Sequence, residues 1–101
     1  MDILFDEQKL SVKYDEGIDT VVRWKDVTGI SGYKVYAYPG EVTFLVFNVD
    51  RGEGVEVSDE MSGWLELMGS LHTIFPLPQG WEEPLNEIEP GEEDILLYTR
   101  K

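Results

Sequence analysis

Apolar and polar residues alternate from Lys9 to Tyr14, with Leu10, Val12 and Tyr14 on one side and Lys9, Ser11 and Lys13 on the other. That period of two is what a half-buried strand requires. Glu16-Gly17 turns the chain, and DTVVRWKDV (residues 19–27) resumes the pattern, Val22 and Trp24 facing one way and Arg23 and Lys25 the other. Gly29 and Gly32 loosen the connection to YKVYAY (33–38), where Tyr33, Val35 and Ala37 oppose Lys34, Tyr36 and Tyr38. Pro39-Gly40 is the clearest turn, because proline presets φ at the first turn position and glycine accepts positive φ at the next. EVTFLVFNV (41–49) is apolar on both faces, which predicts a central strand covered on each side or one in a closed sheet. Arg51-Gly52-Glu53-Gly54 turns into the short strand VEV (55–57), and ILLYTR (95–100) supplies the last strand.

Between these strands the period changes to that of a helix. Met61, Trp64, Leu65, Leu67, Met68, Leu71, Ile74 and Phe75 share one arc at about 100° per residue, with Ser62, Glu66, Gly69, Ser70 and Thr73 opposite. Ser58 or Asp59 offers an N-cap oxygen, and Asp59 and Glu60 set negative charge at the positive end of the helix dipole. Pro76 and Pro78 end the run, since a residue before proline is pushed out of the helical region. His72 falls near one edge of the apolar arc, which predicts a position at the boundary between helix and sheet. Beyond it, EEPLNEIEPGEED (82–94) carries seven acids, two prolines and no base, and reads as a loop with Trp81, Leu85 and Ile88 available to anchor it.

These segments predict one α+β domain over residues 1–101: a curved antiparallel sheet of about six strands with one principal amphipathic helix, roughly Asp59 to Phe75, packed on it. Consecutive hairpins followed by a helix also close into a partly open barrel of the pleckstrin-homology kind, which is the alternative by analogy.

Composition narrows the function more than the fold. The 101 residues include no cysteine, which removes disulfides, thiolate metal sites and cysteine nucleophiles and fits a reducing cytosol. The first residues are acidic at positions 2, 6 and 7 and lack the order of a signal peptide, and no apolar run approaches the roughly 20 residues of a membrane span. The expectation is a soluble cytoplasmic protein. Net charge is −13, and it is unevenly placed: 6 basic against 9 acidic residues up to Arg51, then none against 12 from Gly52 to Thr99. Such a field repels nucleic-acid phosphate and anionic membranes and draws in basic partners.

Catalytic signals are sparse. The sequence contains no nucleophile elbow, phosphate loop or dinucleotide fingerprint, and no metal or cofactor site is expected. Asp50, Glu53, Glu56, Asp59 and Glu60 do not have calcium-loop spacing, and Glu56 faces away from Val55 and Val57. His72 with nearby carboxylates such as Glu66 and Asp59 is the one hydrolase-like or metal-dependent alternative, weighed against a packed histidine bonded to backbone. Trp24, Tyr33, Phe44, Phe47, Trp64 and Phe75 lie at core-like phases, whereas Tyr36 and Tyr38 share the face of Lys34 beside the Pro39 turn and suit an exposed contact surface. A lipid-binding module is conceivable only if Lys9, Lys13, Arg23, Lys25 and Lys34 gather on one face.

Residues 20 to 81 resemble small uncharacterised bacterial proteins in which a W-x-x-[IV] strand and a Y-K doublet precede an E-M-x-G-[WF] helix start and a later F-P and W. The positions that match are Trp24, Val27, Ile30, Tyr33, Lys34, Glu60, Met61, Gly63, Trp64, Phe75, Pro76 and Trp81. The resemblance implies a small bacterial α+β protein of the accessory or immunity-protein kind and assigns it no catalytic residue or cofactor. Together with the charge imbalance, the expected function is non-enzymatic binding of a basic protein partner through Glu82, Glu83, Glu87, Glu92 and Glu93, with Tyr36, Tyr38 or Trp81 as anchors.

Overall fold

In the computed structural model, which describes residues 1–17, 19–50 and 54–100, the first alternating segments form a three-stranded antiparallel sheet. Its strands are β1 (Asp2–Phe5), β2 (Lys9–Lys13) and β3 (Thr20–Arg23), in that order. Ile3 pairs with Val12 and Leu10 with Val22, so one face is a buried apolar layer, as the period of two predicts. The sequence predicts no strand before Lys9, because no turn signal introduces the run there. β1 forms through distant partners: it pairs along β2, and on its other side Ile3 N donates to Ser62 O at 2.7 Å. Asp6 Oδ1 accepts the amides of Gln8 at 2.8 Å and Lys9 at 2.9 Å, which fixes the intervening turn and holds the Asp6 carboxyl below the usual range.

Trp24 ends β3. Trp24–Asp26 is a single 3-10 turn that delivers the indole to the core, where Nε1 donates to Asp6 O at 2.8 Å. The second sheet contains β4 (Val27–Ala37), β5 (Gly40–Val49), β6 (Val55–Ser58) and β7 (Ile95–Thr99), in the order β6-β5-β4-β7. β4 therefore begins well before Tyr33. Gly32 does not loosen the chain; it lies inside the strand because the δ-methyl of Leu85 sits 2.5 Å from where its Cβ would be. The β4–β5 turn has Tyr38 and Pro39 at its centre, joined by a cis peptide, and Ala37 pairs with Gly40, so the turn sits one residue earlier than expected. The turn expected at Arg51-Gly52-Glu53-Gly54 lies, at its first three positions, outside the described residues.

The main helix, α1 (Trp64–Ile74), starts later than predicted. Ser58 is the buried last residue of β6, and neither it nor Asp59 caps the helix; the N-cap is Gly63, at φ 96° and without a side-chain bond. A Cβ at Gly63 would strike the Ile3 backbone, so glycine there permits the close approach of the helix start to β1. Leu67 and Leu71, one turn apart, are fully buried, whereas Leu65 is 81% exposed and falls outside the packed arc. Phe75 is extended before Pro76 and ends the helix as predicted. Within the acidic segment a short helix, α2 (Glu83–Glu87), replaces the expected loop, with Pro84 in its first turn and Leu85 fully buried.

One apolar core joins both sheets and both helices. Trp24 meets Phe47 of β5 edge-on at 5.7 Å and Phe75 at 5.6 Å, and Phe75 meets Tyr98 of β7 at 5.0 Å, so a line of aromatic rings runs from β5 through the turn after β3 and the helix end to β7. The fold is α+β, as expected. Seven strands in two sheets stand where one sheet of about six was expected, and the sheets do not close into a barrel: no ladder links the small sheet to the large one among the described residues.

Candidate functional site

Lys34 organises the surface that carries most of the predicted contact residues. It lies on the inward face of β4 and is only 7% exposed, which is unusual for lysine and requires partners. Nζ donates to the carbonyl of Asn86, at the end of α2, at 2.8 Å, and sits 3.5 Å from Glu41 Oε1 on β5. The Lys34 carbonyl accepts the Gly91 amide at 3.1 Å. Inside the loop, Glu92 N donates to Glu89 O at 3.1 Å and Glu89 N donates to Glu92 Oε1 at 3.0 Å. The segment expected to be an acidic loop is thus clamped to the edge of β4, with Leu85 and Ile88 buried beneath it in the anchoring role expected of them.

This arrangement sets Glu87 and Glu92 within a residue of groups bonded to Lys34, two positions along β4 from Tyr36. Tyr36 is 76% exposed and Tyr38 100%, at the free end of the β4–β5 hairpin. Ladder register gives Tyr36 N–H and C=O the same outward direction as those of Lys34, and β7 pairs with β4 only from Gly29 to Gly32, so these groups also face outward. Glu41 therefore stands opposite Tyr36 beside open backbone groups, Glu87 and Glu92 adjoin the two groups bonded to Lys34, and Lys34 itself is buried beside the Glu41 carboxylate.

Other expected contacts separate from this group. Trp81 is only 7% exposed and belongs to the core, which removes it as a surface anchor. Glu82 and Glu83 stand at the opposite end of α2, about 6 Å along its axis from Glu87. Glu82 instead borders an open groove of about 580 Å³ lined also by Met68, His72, Leu77, Gln79 and Trp81. His72 is exposed there, turned away from the boundary between helix and sheet where the periodicity had set it. Glu66 and Asp59 do not line that groove. Among the described residues, no group of three or more histidines and carboxylates is arranged to hold a metal ion.

The basic residues are divided. Lys9, Lys13 and Arg23 project from the outer face of the small sheet, where Lys13 lies 4.0 Å from Asp19 and Arg23 lies 3.3 Å from Asp26, while Lys34 is buried elsewhere. The five cations required for a lipid-binding face are not gathered. No helix among the described residues is long and apolar enough to cross a membrane.

The sequence reading missed the role of Lys34, whose partner Asn86 lies 52 residues away. It also missed the outer face of the large sheet, where Tyr33 donates to Glu56; burial and that bond push the Tyr33 hydroxyl up to about 12. The apolar residues on both faces of β5 were the available signal, and were read as a strand covered on each side.

Comparison with family models, with curated proteins and with solved structures finds no match for this chain. Half of the positions quoted above from residues 20 to 81 do structural work: Trp24, Val27, Ile30, Phe75 and Trp81 are buried, and Gly63 admits β1. Lys34 alone among them holds the acidic segment in place.

Proposed function

We propose that this chain is a non-enzymatic binding protein that engages a basic protein through the surface formed by Tyr36, Tyr38, Glu41, Glu87, Glu92 and Glu93. The observation that carries this reading is the Lys34 clamp: one buried cation holds an acidic segment against β4, whose hairpin end carries the exposed Tyr36 and Tyr38. Pre-ordering the carboxylates lowers the entropy lost on association, and tyrosines contribute contact area at little rotamer cost. The charge imbalance steers a cationic partner and disfavours nucleic acid. An accessory or immunity-like role in the cytoplasm is the setting that the resemblance and the lack of cysteine support.

The test is retention of cytosolic proteins on the immobilised chain, eluted with a salt gradient. The reading expects one basic protein held in stoichiometric amount, released by salt, and lost when Glu87, Glu92 and Glu93 are changed to Lys. Equal loss on changing the distant Asp15 and Glu16 to Lys, or a smear of weakly held basic proteins, would show that the charge serves solubility instead.

A further inference from the structure

The inward positions of the large sheet are sealed by the core, but its outer face is not. Register sets Leu96, Ser31, Val46 and Glu56 in one row across all four strands, Tyr33 opposite Phe44 in the next, and Val35 opposite Val42 in the one after. Leu96 is 67% exposed and Val35 37%, with Tyr33, Phe44 and Val46 half-buried beside them; only the corner at Val42 and Ser58 is closed. The rings of Tyr33 and Phe44 stack at 4.9 Å with 9° between their planes, and the bond from Tyr33 to Glu56 fixes that pair in place. Glu56 borders the apolar rows on one side, and Asp94, which precedes β7 and acts on the Tyr33 hydroxyl, borders them on the other. No lysine or arginine stands on these rows.

We propose that this face docks a protein segment in which apolar side chains alternate with lysines or arginines. The proposal rests on the binding reading above and specifies its partner: apolar anchors seat on Val35, Phe44, Val46 and Leu96, while cations meet Glu56 and Asp94 at the rim. An apolar centre with a charged rim is the usual division of labour in an interface. Charge selects the occupant. A second copy of a chain of net charge −13 would oppose the same carboxylates to each other, whereas a cationic segment neutralises them.

Two peptides of equal length and lysine content test this, one alternating lysine with leucine and the other lysine with serine, titrated calorimetrically into the wild type and into Leu96→Ser/Val35→Thr. Both substitutions are at exposed positions and leave net charge unchanged; Leu96→Thr alone, which keeps strand propensity, is the control should the double variant unfold. The wild type should bind the leucine peptide at least ~10-fold more tightly than the serine peptide. The variants should bring that ratio close to one while holding the serine peptide unchanged. Equal binding of the two peptides by the wild type, or a ratio that survives in the variants, overturns the apolar docking face but leaves the acidic surface intact. Failure of both peptides to bind overturns the two together. A wild type that sediments as a dimer, with variants that sediment as monomers, would assign the face to a second copy instead.

Discussion

At the scale of single residues, Lys34 and Tyr33 show how β4 serves two faces at once. Lys34→Ala leaves the Asn86 carbonyl without its donor and should cost about 1 to 3 kcal/mol, read as a lower urea midpoint. Lys34→Met retains the buried stem and should cost less while still releasing the segment at 86–92. On the other face, the Tyr33 hydroxyl is raised to about 12 by burial and by its bond to Glu56. A raised value in the folded chain stabilises the protonated form, so this contribution is complete below about 10 and lost as pH rises through about 12. Spectrophotometric titration should show one phenol ionising after the rest, and Tyr33→Phe should remove that late step and flatten the alkaline fall in stability. A wild type whose phenols all ionise together would contradict the Tyr33–Glu56 bond. The exposure of Tyr36 and Tyr38 follows from their place at the hairpin end; strand phase misassigned the face, setting Tyr33 inward and Lys34 outward, the reverse of the structure. The burial of Lys34 was not legible, because local alternation does not reveal a partner 52 residues distant.

At the scale of elements, legibility followed a periodic run or a turn signal at its boundary. β2, β5 and the core of α1 carry enough alternation or helical spacing to be read directly, and Leu67 and Leu71 lie where the helical arc sets them. β1 and α2 were missed although β6 and β7 are no longer, because no turn signal introduces β1 and α2 lies in an acidic, proline-punctuated run; both are held by tertiary partners, Ser62 beside β1 and Leu85 packed over Gly32 beneath α2. The start of α1 was misread because an acidic, cap-rich lead-in suggested an ordinary N-terminus. The helix begins instead at a left-handed glycine pressed on β1. Gly63→Ala should therefore destabilise by about 1 to 3 kcal/mol for its backbone conformation alone, with the clash against Ile3 adding to it. Leu85→Ala should cost about 2 to 5 kcal/mol and raise amide exchange across residues 83–92, because that side chain pins α2 to β4. Unchanged exchange there would mean that the acidic segment is held by something other than Leu85.

For the whole molecule, the aromatic line joins Phe47 and Tyr98 of the large sheet through Phe75 and through Trp24, the residue that follows β3, so it ties the end of the small sheet to a large sheet with which it forms no ladder among the described residues. Core-like phases identified three of those rings from the sequence, but not the division into two sheets, since β-strand patterns specify faces and not neighbours. The charge imbalance was equally plain, while its focus on the 86–94 side of β4 depends on the Lys34 clamp. The function proposed above needs these carboxylates and the hairpin tyrosines to act as one recognition surface. Its most direct test is an NMR titration of the isotope-labelled chain with a lysine-rich peptide, following every backbone amide. Recognition by one surface should shift a contiguous set of amides over residues 34–41 and 86–96 and leave Asp2, Asp15, Asp59 and Glu66 unmoved. Shifts spread across all the acidic residues in proportion to their exposure would contradict it.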